Sequence, residues 1–274
     1  MENKLLIIGK TSFLATGLKN NLTIKYKVTS YEDFFKKKIK NLKKYSHIIN
    51  CTSNSKFVKN TYNLDNDYDV KIAKRIKNLD LIFIFINTRK IYKPKQNIKE
   101  MDLLQPNCNY SKNKLFSEIK IKKILKQNCL ILRLSNILGH NFKTNRKLHY
   151  TFIDNFRELI KKNIIYKNPG IYKDFLTISL FSKILTKLIK KKCLGTYNVS
   201  FGKKVYLDKL LNWLNYYNIK KPNIITSKKE IFFDNQDCFF LNNNKLKKDI
   251  NLKLNLKTLE IECKKIKKKF FHEK

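Results

Sequence analysis

The sequence predicts an α/β fold, a parallel sheet with helices on both faces and a smaller mixed C-terminal lobe. Short runs that are apolar on both faces recur, they alternate with helix-periodic stretches, and the first run ends at Gly9 just before a helical stripe.

The elements follow in order. Leu5 to Ile8 is a continuous apolar run closed by Gly9, and Phe13, Leu14, Leu18 and Leu22 then recur at helical spacing, giving strand, tight turn and helix. Tyr26 to Ser30 is a second strand. Tyr31 to Lys44 carries Phe34, Phe35, Ile39 and Leu42 on a helical stripe, and His47 to Cys51 is a third strand. A helix is expected over Asp67 to Lys77, a strand over Leu81 to Ile86, a helix over Ser111 to Lys126 and a strand over Cys129 to Leu134.

Beyond Gly139 the alternation weakens. Tyr150 to Lys162 and Ser179 to Lys191 read as helices, Thr196 to Ser200 as a strand, and Leu207 to Tyr217 as an amphipathic helix carrying Trp213. A brief strand at Ile224-Ile225, Asn-rich loops and a Lys-rich final helix complete the chain. The pattern divides it into a sheet domain over 1–140 and a lobe over 141–274, interleaved with each other.

Composition narrows the function classes. With 42% hydrophobic and 12% aromatic residues among 274, the chain is too apolar to stay disordered. Its 60 Lys+Arg against 21 Asp+Glu give a net charge of +39, but Arg occurs only at Arg75, Arg89, Arg133, Arg146 and Arg157. Base and phosphate readers favour the bidentate guanidinium, so Lys spread evenly through the chain reads as a solvated surface and not as a nucleic-acid site. Cys51, Cys108, Cys129, Cys193, Cys238 and Cys263 form no CxxC pair and the four His stand apart, which predicts no metal centre. Several of these Cys lie in apolar runs, as expected of reduced thiols in a cytoplasmic protein. The opening residues are too short an apolar stretch for a signal peptide, and the longest apolar run, Leu81 to Ile86, is far below the roughly 20 residues of a membrane span.

Two motifs carry chemistry. Gly9-Lys10-Thr11-Ser12-Phe13-Leu14-Ala15 lies between a strand and a helix, where backbone N–H groups at a helix N-terminus can hold a pyrophosphate; Ser12 and Ala15 take the place of two glycines. Alone, the turn is equally a plain strand-to-helix connection with one Gly. Tyr110-Ser111-Lys112-Asn113-Lys114 opens a helix and puts an ammonium on the same face as a phenol, favouring the ionised phenol; alone, it is equally a solvated Tyr beside a surface Lys. Asn87-Thr88, just past the strongest strand, supplies a hydroxyl that could hold an oxygen against that phenol.

The order and spacing of these motifs resemble the extended short-chain dehydrogenase/reductases that act on nucleotide-activated sugars. Leu5 to Leu18 is similar to the family's opening strand and glycine turn, and His47-Ile48-Ile49-Asn50-Cys51-Thr52 to its segment beside the cofactor. Phe85 to Tyr92 resembles its hydroxyl-bearing strand end, and Pro106 to Glu118 its Tyr/Lys helix. Leu132 to Gly139, Tyr172 to Ile178 and Gly195 to Ser200 match three further segments in register.

The resemblance implies a Rossmann-type sheet binding NAD or NADP, with a nucleotide sugar held by the C-terminal lobe. It implies Tyr110 as general acid/base, Lys114 lowering the phenol pKa and touching the nicotinamide ribose, and Thr88 orienting the reacting oxygen. Gly9, Ser12, Phe13, Leu14, Asn50, Cys51 and Thr52 fall where cofactor is held; Asn136 and Lys173 fall where substrate is contacted. Lys173 stands where the family usually has Arg and so lacks the bidentate fork. Arg89-Lys90 replaces the acidic pair of the 4,6-dehydratases and argues against that activity. The short span between the second strand and Asn50, which leaves no room for an extra strand, resembles the compact reductases of keto sugars, whereas Asn136 and Lys173-Asp174-Phe175 look more epimerase-like. A reductase is the first reading, an epimerase the second and a non-catalytic binding protein the third. Glu32 or Asp33 could accept from an adenosine ribose, or serve only the helix dipole, and Lys27 could neutralise a 2′-phosphate. A homodimer through the helices near 67–77 and 111–126 is compatible with the resemblance, though both are Lys-rich.

Overall fold

The computed structural model describes residues 4–139, 153, 164–167, 170–214, 223–226 and 238–271. Six parallel strands form the sheet: β1 (Lys4–Ile8), β2 (Lys25–Thr29), β3 (His47–Asn50), β4 (Ile82–Thr88), β5 (Cys129–Leu134) and β10 (Gly195–Val199). Their spatial order is β10-β5-β4-β3-β1-β2. The chain leaves β1 for β2 on one side and returns to β3 on the other, so the direction of winding switches at β1. In open parallel sheets, ligands bind outside the strand ends at such a point.

The alternation of side chains explains how one sheet feeds two cores. Leu5 and Ile7 of β1, Ile84 of β4 and Leu130 and Leu132 of β5 face the core beneath α1 (Phe13–Asn21) and α6 (Ile178–Lys190). Leu6, Ile8, Phe83, Phe85 and Ile131 face the opposite core, under α2 (Tyr31–Lys36), α4 (Tyr68–Ile76) and α5 (Asn109–Leu125). Strands buried on both faces are the reason the runs read as continuously apolar. Gly17 lets α1 approach α6: a Cβ there would overlap the Ile178 side chain.

No strand lies between β2 and β3; α2 and a 3₁₀ turn at Ile39–Leu42 fill that span, so β2 is the sheet edge, as the short spacing predicts. The expected helix Tyr31 to Lys44 is therefore a correction. It stops at Lys36, because Lys37 turns to extended backbone (φ −66°, ψ 138°) and the stripe is completed by the separate turn carrying Leu42. Residues after 140 return to the sheet through α6 and β10.

Several short pieces escaped the sequence reading. They are α3 (Ser55–Lys59), the parallel pair of β6 (Asn136–Leu138) with β9 (Phe175–Thr177), β7 (Ile164–Lys167) beside β12 (Asn223–Thr226), and the antiparallel pair of β8 (Tyr172–Lys173) with β11 (Val205–Tyr206). α7 (Leu207–Trp213) covers the first part of the expected helix, whose residues 215–217 lie outside the described residues, and the Asn-rich stretch read as loop contains α8 (Asn244–Ile250) before α9 (Leu256–Phe271). The helix expected over Tyr150 to Lys162 lies outside the described residues apart from Ile153, which is buried.

Candidate active site at the carboxyl ends of the strands

The first half of the site is the turn after β1. Gly9 has φ +115°, its N–H donates to Thr29 O at 2.8 Å, and a Cβ would stand 3.3 Å from Cys51 C and Thr52 N. Three strand ends thus converge where only Gly fits comfortably. Ser12 caps α1, its Oγ accepting from Ala15 N at 3.1 Å. The N–H groups of Phe13 and Leu14 then point out of the first turn with no intrahelical acceptor. Ser and Ala can replace two glycines because Ser12 is a good cap and the fully buried Ala15 still lets helix and sheet pack closely.

Asn50 organises the neighbouring loop. Its amide accepts from Thr52 N at 3.1 Å and donates to Thr52 O at 3.1 Å and to Asp69 Oδ1 at 2.8 Å. Cys51 and Thr52 are thereby fixed beside Gly9, and burial pushes the Cys51 thiol up. This brings Gly9, Ser12, Asn50, Cys51 and Thr52 together at the β1/β3 crevice.

The second half is built on α5. Asn113 donates to Phe57 O at 2.7 Å and Asn60 O at 2.8 Å, and Ser117 donates to Asp67 Oδ2 at 2.6 Å, so the helix is fastened along one face to α3 and α4. Between those clamps Lys114 Nζ meets Asp69 Oδ2 at 2.9 Å, the two side chains being only 9% and 7% exposed. Burial pulls the Lys114 pKa down, but the Asp69 charge outweighs it and leaves the ammonium above its ordinary value. Burial raises Asp69 against the pull of Lys114. Phe85 lies under the ammonium, 4.6 Å from Nζ to ring centroid.

Asp69 is the site residue that sequence reasoning missed. The available signal is an Asp67-x-Asp69 pair opening an amphipathic helix in a chain poor in acids. The expected lowering of the Tyr110 pKa is also corrected, chiefly by burial. Burial raises the phenol first, Lys114 lowers it, Asp69 raises it again, and the net shift is upward.

Thr88 ends β4, half-buried, its N–H donating to Asn87 Oδ1 at 2.7 Å and its Oγ1 accepting from Lys90 N at 3.3 Å. Asn87 is tied to Glu118 Oε2 at 2.6 Å, and Glu118 takes two bonds from Arg133, at 3.1 and 2.6 Å. Arg133 also reaches Tyr92 Oη at 2.6 Å, and Tyr92 donates to Asn198 Oδ1 at 2.8 Å. This buried network locks β4, β5, β10 and α5 in register, which fixes Thr88 relative to the Tyr110 helix. Arg89 stacks on Phe239 at 3.6 Å.

On the C-terminal side, Asn136 is half-buried on β6, its amide donating to Asp174 O at 3.2 Å, and Lys173 is buried on β8. Asp174 between them accepts from the N–H groups of Phe201, Leu241 and Gly202, at 3.1, 3.0 and 3.2 Å, joining three loops. Among the described residues there is no cluster fit for a metal ion and no helix long and apolar enough to cross a membrane. All six cysteines are free.

No protein-family profile and no curated protein matches the chain. Solved structures do. A UDP-N-acetylglucosamine 4-epimerase from Methanobrevibacter ruminantium, complexed with UDP-N-acetylmuramic acid, superposes with TM-score 0.79 at 17% identity, covering 100% of each chain. A dTDP-4-dehydrorhamnose reductase from Bacillus anthracis, complexed with NADP, gives 0.72 at 17% identity, again over 100% of both chains. A UDP-glucuronic acid 4-epimerase from Bacillus cereus, crystallised with NAD, gives 0.71 at 14% identity over 98% of this chain and 100% of the other. The chain has the Rossmann-type fold of these nucleotide-sugar enzymes. The matched span takes in the C-terminal part as well as the sheet.

Proposed function

We propose that the protein is an NAD(P)-dependent oxidoreductase that reduces a keto group on a nucleotide-activated sugar. The observation that supports this reading is a chain of contacts from the Tyr110 helix to the winding switch: Lys114, four residues after Tyr110 on α5, pairs with Asp69, Asp69 accepts from Asn50, and Asn50 holds Thr52 against Gly9. The site suits a dinucleotide: Gly9 allows close backbone approach, and the N–H groups of Phe13 and Leu14 open α1 where a pyrophosphate gains most. Bound there, the nicotinamide would supply hydride.

The chain's own residues do the rest. Thr88 Oγ1 holds the carbonyl oxygen, and Tyr110 gives that oxygen its proton as hydride reaches the carbon, so C=O becomes CH–OH and the phenolate recovers a proton from solvent. Lys114 steadies the phenolate, and Asp69, fixed by Asn50, keeps the ammonium charged and in place. Asn136, at the end of the sheet domain, and Lys173, on a lobe spanning 141–274, are read as substrate contacts, and the nucleotide diphosphate would meet Lys173. Arg89-Lys90 stands where a 4,6-dehydratase carries an acidic pair, and a guanidinium that keeps its proton cannot act as that enzyme's acid. A cytoplasmic homodimer that does not bind nucleic acid completes the reading, with Phe116 and Ile119, 50% and 56% exposed on α5, at its interface.

The second reading is an epimerase, favoured by Asn136 and the epimerase neighbours; a binding protein without turnover is the third. The experiment is a screen of nucleotide-linked keto sugars with NADH and NADPH, repeated with Tyr110→Phe. Stoichiometric nicotinamide oxidation that the variant abolishes is the expected result. Sugar inversion without net nicotinamide oxidation would select the epimerase, and unchanged turnover in Tyr110→Phe would overturn the acid/base assignment.

A further inference from the structure

A cavity of about 370 Å³ opens at the carboxyl ends of β1 and β2, lined by Lys10, Val28, Thr29, Asp33, Lys36 and Lys37. Its place is set by hydrogen bonding: Lys10 follows Gly9, whose N–H is bonded to Thr29 O. The cavity therefore adjoins the turn read above as the pyrophosphate site, on the side of the edge strand β2, where an adenosine ribose is ordinarily read.

Three ammonium groups against one carboxylate leave a formal charge of 3 − 1 = +2 around it. The carboxylate is already engaged. Lys10 Nζ lies 2.9 Å from Asp33 Oδ2, and the bond from Lys10, then that from Ser30, holds Asp33 below the usual carboxylate range. Asp33 is thus a poor free acceptor for sugar hydroxyls. Lys36 and Lys37, in contrast, form no ion pair with any described carboxylate. Lys27, the basic residue that sequence reasoning nominates, is exposed on β2 and does not line the cavity, and Glu32 does not line it either.

We propose that this cavity takes the phosphate on the adenosine 2′-oxygen, so that Lys10, Lys36 and Lys37 select NADP(H) over NAD(H). The inference rests on the dinucleotide reading of the Gly9 turn. A ribose bearing two hydroxyls meets donors and one occupied acceptor, whereas a phosphate near −2 meets charges that it can pair. Lys10 can be shared between Asp33 and the phosphate. With Lys10 and Asp33 side chains 56% and 46% exposed, the site faces solvent, and its selectivity is salt-sensitive.

The test needs no turnover. The protein is titrated calorimetrically with adenosine 2′,5′-bisphosphate and with 5′-AMP, and by nicotinamide fluorescence with NADPH and NADH. The 2′-phosphorylated ligand of each pair is expected to bind at least about tenfold tighter at low salt, with the gap narrowing as salt rises. The double variant Lys36→Ala/Lys37→Ala, checked for folding by circular dichroism, should bring that ratio close to one. Equal affinities in the unaltered protein overturn the selectivity while leaving the dinucleotide site standing. Failure of all four ligands to bind overturns the dinucleotide reading, and the selectivity with it.

Discussion

Asp69→Asn removes the carboxylate paired with Lys114 while keeping the size of the side chain. Breaking a buried pair from one side typically costs about 3–5 kcal/mol, because the surviving charge stays desolvated. Two contacts soften the loss here: the ammonium keeps the Phe85 face at 4.6 Å, worth about 1–2 kcal/mol, and the new amide oxygen can still accept one bond. The net expectation is a loss of about 2–4 kcal/mol, a large part of a typical domain's stability. Lys114→Met should cost a similar amount by stranding Asp69 with only the Asn50 amide. The double change Asp69→Leu/Lys114→Met places two apolar groups beside Phe57 and Phe85 and should return within about 1 kcal/mol of the starting protein. Urea unfolding of the starting protein, Asp69→Leu, Lys114→Met and the double variant closes the cycle, with an expected coupling above about 2 kcal/mol. Single losses below about 1 kcal/mol, or a double variant whose loss is their sum, would refute the burial argument. A stable double variant that no longer binds nicotinamide would mean that the pair is kept for the site and not for the fold.

Two further outcomes follow from particular contacts. Burial, then the charge of Lys192, lowers the His47 pKa from 6.5 to about 4. Between those values the unfolded chain binds a proton that the folded chain does not, so stability present at pH 7 is lost on acidification, by up to about 3 kcal/mol. His47→Leu should flatten that part of the thermal-midpoint profile between pH 7 and pH 4.5; an identical slope in both proteins would sink the assignment. Gly17→Ala improves helix propensity by up to about 1 kcal/mol yet should destabilise by about 1–3 kcal/mol net, because its Cβ enters Ile178. Adding Ile178→Ala should recover the difference between singly and doubly altered proteins, and no recovery would place the strain elsewhere.

What the sequence discloses depends on the range of the interaction. β1, β4 and β5 are legible because strands buried on both faces must be apolar throughout, and the Gly9 turn because a left-handed backbone next to a strand end calls for Gly. The Tyr110 helix is legible through its four-residue spacing. Gly17 and Asp69 are not, since the meaning of each lies in a partner far along the chain, Ile178 for one and Lys114 for the other. Two- and three-residue strands such as β8 and β9 are too short to show any period, and α2 ends early for want of a backbone signal among near-identical lysines. The cavity beside β2 is legible only as a surplus of Lys; which of them converge is a fact of folding.

The buried acids explain how so basic a chain keeps a defined interior. Asp67, Asp69, Glu118 and Asp174 are 1%, 5%, 2% and 0% exposed, and each is fully engaged. Asp67 receives Val70 N, Tyr62 and Ser117, and Asp69 receives Asn50 and Lys114. Glu118 receives Asn87, Lys122 and Arg133, and Asp174 takes three backbone N–H groups. A carboxylate in such a place can be exchanged for Lys only by leaving its donors unsatisfied and burying a second cation, whereas an exposed acid can be exchanged at little cost. Replacing an acid by Lys therefore costs least on the surface and most at these four positions. The +39 charge is then a property of the solvated faces, and these four buried acids mark joints on which the Tyr110 helix and the strand ends are hung.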